Sequence, residues 1–375
     1  PGGTLDLDGR RMEINLTQPL NPGCTLQIEL AFQLTVPPIV GGAEAYRGYF
    51  GRTVRQINLG HWLPTVVPYQ QGEWLQRETL LIGEQLVLAP ADWDVTIEVL
   101  NAVPTATVAA PGQVTVEAPN RWRYQHTNGR EFAASISEVF DITRRTTDFG
   151  YEVEIYTMPD GAVGNDFTAD VTAQSLDLYA ERFGPYLHER LVIVQGDFPD
   201  GMEFSGFAFV STDWFARYTG DPASYLMLIT VHEVAHQWWY DLVGSDQALS
   251  PWLDEAPSTY AEYIYIEEYY PQLADWWWYF RVNRLNPEGN VDSAVYDFDQ
   301  IRPYINAVYL RGVLMLHEMR ITLGDEAFFA WLEAYAVQNA GEVANADALW
   351  AALTDEQFAL TGFTRASFLR NPGVR

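Results

Sequence analysis

The sequence predicts an α+β protein in which an all-β, sandwich-like domain precedes a mixed domain that becomes mainly helical. We expect the first domain over residues 1–150 and the second over residues 151–375. Three patterns predict this: apolar residues alternate in the first part, strands flank a helix beyond residue 150, and helical spacing dominates after residue 224. With 375 residues, of which 48% are hydrophobic, the chain can bury sizeable cores.

The β prediction for the first domain rests on period-two runs, in which every second side chain is apolar. Residues 95–99 show this pattern, and so does a longer run over residues 26–36. The apolar positions of the longer run are Leu26, Ile28, Leu30, Phe32, Leu34 and Val36. Pro37 and Pro38 end it, because proline cannot donate a hydrogen bond to a neighbouring strand. Each run therefore predicts a strand with one buried face.

The second domain begins with strands expected at 151–158 and 191–194, separated by a helix at 166–183. Further helices are expected over 224–243, 305–322, 325–338 and 345–359. Another helix starts near Asp254. If Asp254 caps it, Pro257 falls in its first turn, where the amide hydrogen that proline lacks is not needed.

The net charge of −28 excludes several classes of partner. Every one of the 22 basic residues is arginine, against 50 acidic residues. Such a surface repels nucleic acid and anionic membranes. No apolar run reaches the roughly 20 residues that cross a bilayer. We therefore expect a globular protein that binds no nucleic acid and has no membrane-spanning segment.

Two residues, Cys24 and Pro1, give information on the cellular compartment of the protein. Cys24 is the one cysteine, so neither an internal disulfide nor a cysteine-based zinc site is expected. The chain starts at Pro1 rather than at a methionine, which leaves open a removed leader or an upstream part of the β domain. These features favour an extracytoplasmic or cell-envelope location. The sequence does not specify an oligomeric state.

A metal site is predicted by His232, Glu233 and His236, which form the pattern His-Glu-x-x-His, and by Glu255 after eighteen further residues. On a helix, side chains four positions apart share a face, so both imidazoles can bind one ion. With Glu255 as third ligand, one tetrahedral position stays open, as in catalytic zinc sites. Glu233 lies beside the ion as the expected general base. One zinc ion is the expected cofactor.

Three segments around this motif resemble the aminopeptidase N family of gluzincin zinc metallopeptidases, to which leukotriene hydrolase also belongs. They are residues 232–238 (His-Glu-Val-Ala-His-Gln-Trp), 252–255 (Trp-Leu-Asp-Glu) and 259–263 (Thr-Tyr-Ala-Glu-Tyr). The similarity extends more thinly over residues 55–340. It implies a saddle-shaped N-terminal β domain followed by a thermolysin-like catalytic domain, a small mixed sheet with helices.

A second segment carries the expected exopeptidase specificity. Gly201, Met202 and Glu203 are similar to the family's Gly-x-Met-Glu-Asn signature, in which the glutamate binds the free α-amino group of the substrate. The resemblance implies that these three residues bind the substrate's N-terminus. Phe204 stands in place of the asparagine and Asp200 in place of the first glycine, so the pocket departs from the family pattern.

Further site residues come from two helices. Tyr309 and Gly312 match the family's Tyr-x-x-Gly segment, which implies that Tyr309 stabilises the oxyanion. Tyr304 is expected to line the same pocket. Glu262, seven residues after Glu255, is a candidate acceptor for a ligand imidazole, and a solvated helix face is the alternative reading.

These patterns predict a zinc metallopeptidase, and specifically an aminopeptidase acting on peptides with a free N-terminus. Two other classes stay open. A metallohydrolase without a free-amine requirement, either an endopeptidase or an epoxide hydrolase, is favoured by the altered Phe204. A non-catalytic binding domain is disfavoured because all three ligands and the base are present.

Overall fold

The chain forms two compact units, Pro1–Thr35 and Val36–Arg375. Their coordinates come from a computed structural model that describes residues 2–5, 11–41, 47–70, 72–102 and 106–373. The domain boundary expected at residue 150 lies inside the second unit and stays a prediction.

The first unit contains an antiparallel hairpin of β1 (Gly2–Leu5) and β2 (Met12–Asn15). The strand expected over residues 26–36 is wrong, because no residue of this run joins a strand among the described residues. Its apolar side chains Leu26, Ile28, Leu30, Phe32 and Leu34 are 45–51% exposed. Alternation produces a strand only where a neighbouring backbone satisfies the amide groups and a second layer covers the apolar face.

Two small antiparallel sheets form the β part of the second unit. Its strands are β3 (Phe50–Arg52), β4 (Ile57–Leu59), β5 (Tyr69–Gln70), β6 (Glu73–Trp74), β7 (Ala91–Glu98), β8 (Thr107–Ala109), β9 (Gln113–Ala118), β10 (Arg121–Gly129) and β11 (Ala134–Ser137). One sheet has the order β3-β4-β11-β8 and the other β7-β10-β9, while β5 and β6 form a separate hairpin. Ile97 and Tyr124 of one sheet pack with Val108 and Ala134 of the other. This confirms the predicted sandwich-like β region, with the strand expected near residue 95 lying in β7.

A five-stranded mixed sheet follows. Its strands are β12 (Asp141–Thr146), β13 (Glu152–Thr157), β14 (Arg190–Gly196), β15 (Gly201–Phe204) and β16 (Phe207–Ser211), in the order β12-β13-β14-β16-β15. Strands β13, β14 and β16 are parallel, and α1 (Asn165–Phe183) connects β13 to β14. Among the described strands β15 pairs with β16 alone, so its other edge is open toward the helices. The strands and the helix predicted here are confirmed.

Helices make up most of the rest. They are α2 (Thr212–Arg217), α3 (Tyr225–Ala235), α4 (Trp252–Tyr269), α5 (Ala274–Trp277), α6 (Ile301–Ile305), α7 (Arg311–Leu323), α8 (Asp325–Gln338), α9 (Ala346–Ala351), α10 (Asp355–Leu360) and α11 (Gly362–Phe368). A two-stranded pair, β17 (Gly244–Ser245) and β18 (Val343–Ala344), joins the chain after α3 to the chain after α8. Within the described part of the chain, no helix has both the length and the apolar character needed to cross a bilayer.

The observed helices confirm α8 at its predicted bounds and correct three others. Helix α3 ends at Ala235 instead of near residue 243. After Ala235 the chain continues in wide turns, in which Asp241 N–H donates to His236 O. The helix expected over 305–322 begins with the π-helical segment Asn306–Leu310. The helix expected over 345–359 is divided, because Thr354 caps α10 through a reciprocal pair of bonds with Gln357.

Helix α4 corrects the expectation for Asp254. It starts at Trp252, following Pro251, whose φ of −59° is already helical. Asp254 is therefore inside the helix rather than its cap, and Pro257 lies in the second turn. Because proline has no N–H, the carbonyl of Leu253 lacks its usual donor four residues on. Because the Asp254 side chain does not cap the helix, it can face the metal centre.

Candidate metal centre and substrate cleft

The three predicted metal ligands converge at one point. His232 Nε2 lies 3.1 Å from His236 Nε2 and 3.3 Å from Glu255 Oε2, and the remaining pair of atoms is 3.6 Å apart. A tetrahedral zinc ion with ligands at about 2.0–2.1 Å holds its ligand atoms roughly 3.3 Å from one another. Glu255 Oε2 is buried without a hydrogen-bond partner among the described residues, as expected of an atom reserved for a metal. The donor set fits zinc.

Helix packing produces this convergence. Helix α3 is buried along its whole length, and the Ser224 side chain caps it by accepting from Met227 N–H. His232 is in its last turn and His236 is its C-terminal cap, one turn further on the same face. Helix α4 packs across α3 and brings Glu255 to that face from its first turns.

His232 is held from its far side by Glu262, whose Oε1 lies 3.2 Å from His232 Nδ1. Arg281 binds the same carboxylate with two nitrogens, at 2.7 Å and 2.9 Å, and Trp277 Nε1 donates to it at 3.0 Å. Glu262 is fully buried, so the solvated alternative is excluded. A carboxylate on this side of the ring favours Nε2 as the imidazole nitrogen that faces the other ligands.

His236 is held by Asp254, a residue that the sequence analysis assigned to a helix cap. Asp254 Oδ1 lies 2.6 Å from His236 Nδ1, with Trp239 O at 3.1 Å and Ser258 Oγ at 3.2 Å from the same nitrogen. The sequence offered one signal for this contact: Asp254 directly precedes Glu255 and lies one turn before Ser258.

The ligand carboxylate is ionised. Burial alone would raise the pKa of Glu255, but the nearby imidazoles of His232 and His236 lower it below its usual range. Glu233 behaves in the opposite way: burial, with Asp200 and Glu255 adding repulsion, raises its pKa well above the ordinary value. A carboxyl group of this kind is suited to accept and return a proton.

The backbone at Gly201 lies close to Glu233. A Cβ at Gly201 would lie 2.1 Å from Glu233 Oε1, so a larger residue there would make the carboxylate of the predicted base shift. Glu233 Oε2 is buried with no hydrogen-bond partner among the described residues. The base thus faces a narrow space between α3 and the open edge of β15.

A cluster of carboxylates lies at the other end of β15. Gln247 Nε2 is within hydrogen-bond distance of Glu84 at 2.6 Å, Asp254 at 2.8 Å and Glu203 at 3.3 Å. Burial raises the pKa of Glu203 to about 8, and burial with repulsion from Glu203 raises that of Glu84 well above its usual range. Three carboxyl groups around one neutral amide form a site that favours a cation.

Glu84 was missed by sequence reasoning. It follows Gly83 in a segment without regular secondary structure, far upstream of the metal motif, and no local pattern marks it. Gly83 has φ +59°, and a Cβ there would lie 2.9 Å from the Tyr304 hydroxyl. This glycine lets the segment lie against Tyr304 and directs Glu84 toward Glu203.

The remaining signature residues point away from the cleft. Phe204 is fully buried and its ring packs 5.0 Å from His61 and 6.2 Å from Tyr49 between centroids. Met202 is buried in the same apolar core. Successive side chains alternate across a strand, so Glu203 faces the cleft while its two neighbours do not. The replacement at Phe204 therefore leaves the carboxylate cluster intact.

The two predicted tyrosines lie beside the metal ligands. Tyr309 donates a hydrogen bond to Glu255 Oε1, and its ring stacks on His232 at 6.2 Å between centroids. Tyr304 is buried against Tyr309 and lines a narrow cavity with Glu84. A hydroxyl at the position of Tyr309 can donate to an oxyanion formed near the metal.

Known proteins are similar to this chain in sequence. A model of the peptidase family M1 domain matches residues 167–366. Aminopeptidase M1-A of Oryza sativa subsp. japonica is 26% identical over 238 residues, which cover 59% of this chain and 27% of the relative. Human endoplasmic reticulum aminopeptidase 1 is 26% identical over 254 residues, which cover 62% and 27%. The chain spans about a quarter of the length of these relatives.

The fold is also found in solved structures. A mutant form of the M1 zinc metallopeptidase from Deinococcus radiodurans superposes with a TM-score of 0.56 at 21% identity, covering 76% of this chain and 65% of that one. The same mutant with a bound Tyr-Ser-Ala substrate gives 0.56 at 22% identity over 74% and 63%. The family match extends over more than half of the 375 residues and includes α3, α4 and every predicted metal ligand. The chain belongs to peptidase family M1.

Proposed function

We propose that this chain is a zinc-dependent aminopeptidase that releases N-terminal residues from peptides. The observation that carries the proposal is the pairing of two sites: a ligand set spaced for one zinc ion, and next to it a cluster of carboxylates around Gln247 that favours a cation. An α-amino group bound to Glu203 and Glu84 puts the first peptide carbonyl near the metal ligands, because one residue spans only about 3.3 Å in an extended chain.

The residues divide the chemistry among them. His232, His236 and Glu255 would hold a zinc ion, which would supply a water nucleophile at neutral pH and a Lewis acid for the scissile carbonyl. Glu233 takes the proton of the attacking water and then returns it to the leaving amine. Tyr309 donates its hydroxyl hydrogen to the developing oxyanion.

The test compares amino-acyl anilides with their N-acetylated twins, with and without a chelator. The proposal predicts cleavage of the free-amine substrates alone, lost on chelation and restored by zinc. Cleavage of both series would instead make the protein an endopeptidase-like hydrolase. Failure to cleave either series while loaded with zinc would favour a non-catalytic domain.

The amine site has its own test. Glu84→Gln and Glu203→Gln are expected to raise KM for the free-amine anilides at least tenfold, because each removes a charge-assisted contact with the ammonium group. Glu73→Gln, at an exposed carboxylate on β6, is the matched control and should behave as the parent protein. An unchanged KM in both site variants would show that the amine binds elsewhere.

A further inference from the structure

Asp200 has an unusual backbone conformation at the start of β15. Its φ is +69°, in the left-handed region that disfavours side chains other than those of asparagine and aspartate. Its carbonyl accepts a hydrogen bond of 2.8 Å from Ser211 N–H, which fixes the turn against β16. The side chain itself is exposed. The strained turn thus presents a carboxylate at one end of the open edge of β15.

Asp200 directly precedes the part of β15 that lies against the predicted base, since a Cβ at the adjacent Gly201 would lie 2.1 Å from Glu233 Oε1. Desolvation raises the pKa of Asp200 above the ordinary value although water reaches it, while the charges of Arg281 and His232 oppose the rise. No described residue forms a hydrogen bond or ion pair with the carboxylate, whereas Arg281 is already bound by two contacts to Glu262. The negative charge is therefore available to an incoming group.

We distinguish two flanks of the metal centre, one beside Glu203 near the end of β15 and one beside Asp200 before its start. Glu203, Glu233 and His236 bring their polar atoms within 4.8 Å of one another, so Glu203 belongs to the His236 flank. Asp200 interacts with the charges of His232 and Arg281 instead. Along β15 the two acidic residues are three positions apart, roughly 10 Å at about 3.3 Å per residue.

A bound peptide connects these flanks in a defined direction. Its α-amino group is at Glu203, and its first carbonyl lies near Glu233 in the middle. The second residue of the peptide, which leaves with the new amino terminus, then extends toward Asp200. The end of an extended side chain on that residue lies about as far from the α-amino group as Asp200 lies from Glu203, roughly 10 Å.

We propose that Asp200 selects peptides whose second residue is arginine or lysine, by pairing with that side chain in the cleft. This inference rests on the proposed aminopeptidase function and names the substrate class for it. Glutamate or aspartate at the second position is disfavoured by the same charge. Since opposite-charge and like-charge contacts act in opposite directions, the two kinds of peptide should differ by roughly tenfold in kcat/KM.

The kinetic test uses tripeptides that share their first and third residues and carry arginine, alanine or glutamate in the middle. The expected order in kcat/KM is arginine, alanine, glutamate, and it should collapse to less than about twofold in Asp200→Asn. Asparagine keeps the size of the side chain and tolerates positive φ. Asp275→Asn, an exposed carboxylate on α5, is the matched control and should keep the order.

Only the ratio between peptides is diagnostic, because the charge of Asp200 also acts on Glu233 and its removal changes all rates together. Raising ionic strength should shrink the ratio in the parent protein, since salt screens exposed charges. Equal rates for the three peptides in the parent, or an order that persists in Asp200→Asn, would overturn the proposal.

A binding measurement separates this inference from the proposed function. In zinc-loaded Glu233→Gln, calorimetry with the same peptides should give affinities in the same order, again lost when Asp200→Asn is added. Cleavage without any second-residue preference in rate or affinity overturns the role of Asp200 and leaves the aminopeptidase standing. Absence of cleavage with ordered, Asp200-dependent affinities overturns the aminopeptidase and supports the role of Asp200 in peptide binding.

Discussion

Each imidazole of the metal centre is positioned by a carboxylate behind it, Glu262 for His232 and Asp254 for His236. Asp254 lies at hydrogen-bond distance from His236 Nδ1, Glu262 lies 3.2 Å from His232 Nδ1, and both Nε2 atoms face the same point. Glu262 is in turn neutralised by Arg281, so its charge is retained in a fully buried position. At the residue scale each imidazole therefore has a charged partner on the side away from the other ligands.

Replacing Glu233 by glutamine should separate proton transfer from metal binding. Glu233→Gln keeps the shape of the side chain but cannot accept the proton of water, so we expect turnover to fall by about a thousandfold. Zinc content, measured by atomic absorption, should stay at the parent value because Glu233 is not a ligand. Near-parent turnover would remove Glu233 as the base.

Tyr309→Phe addresses the oxyanion. Loss of the hydroxyl should lower kcat by about a hundredfold with little change in KM, since the donor acts on charge that develops during the reaction. The metal content should again be unchanged. A variant with parent kcat but weakened zinc binding would show that the tyrosine serves only to hold Glu255, to which it donates in the structure.

The sequence predicted the residues of this site that belong to short motifs and missed those that do not. His232, His236 and Glu255 meet as their spacing implied, because helical periodicity fixes the first two and a reversed helix returns the third. Glu84 could not be found in this way, since its position depends on how an irregular segment lies against Tyr304. Asp254 was in view, but its role depends on where α4 begins.

At the scale of elements, the approach of α7 to α4 connects the tyrosine to the ligand. A Cβ at Gly312 would lie 2.3 Å from the Cβ of Ala256, so the helices cross where neither has a larger side chain. Ala256 is the neighbour of Glu255, and Tyr309 lies one turn before Gly312. This contact explains why the Tyr-x-x-Gly segment needs its glycine.

Gly312→Ala should therefore separate the two helices. Overpacking of this kind lowers the free energy of unfolding by about 1–3 kcal/mol, which exceeds the gain of roughly 1 kcal/mol in helix propensity when the site cannot relax. Turnover should also fall, because the shift of α7 moves Tyr309 away from Glu255. Gly362→Ala in α11, where the nearest atom to a new Cβ is 3.9 Å away, is the control and should be neutral or stabilising.

Elements whose ends are marked by glycine or capping residues could be predicted from the sequence, and other elements could not. Helix α8 has its predicted bounds because Gly324, at φ +77°, separates it from α7 and Asp325 starts it. The run over residues 26–36 has a clear alternation but no neighbouring strand among the described residues. The π-helical segment before α7, which lies against α4, leaves no trace in apolar spacing.

Across the second unit, one buried arginine fastens the β region to the helices. Arg130, at the end of β10, is 1% exposed and donates to the carbonyls of Leu88 at 2.6 Å, Asp241 at 2.8 Å and Glu342 at 3.0 Å. These carbonyls come from three distant segments. A Cβ at Gly244 would lie 2.4 Å from the guanidinium, which requires glycine there.

Arg130→Lys should be strongly destabilising although the charge is kept. An ammonium group cannot reproduce the planar fork of donors, so buried carbonyls lose their partners, and we expect a loss of about 2–4 kcal/mol in the free energy of unfolding. Denaturant titration measures it. Arg123→Lys, at an exposed ion pair with Asp94, is the control and should change stability by less than about 1 kcal/mol. Equal effects of the two variants would contradict the fastening role.

The proposed activity depends on one zinc ion at His232, His236 and Glu255. The most direct measurement is a zinc titration of chelator-treated protein, following turnover of a free-amine anilide and the unfolding midpoint together. We expect turnover to be restored and the unfolding midpoint to rise, both saturating at one ion per chain, and we expect neither response in His232→Ala. Full turnover in the metal-free protein, or saturation in His232→Ala identical to the parent, would contradict this dependence on zinc.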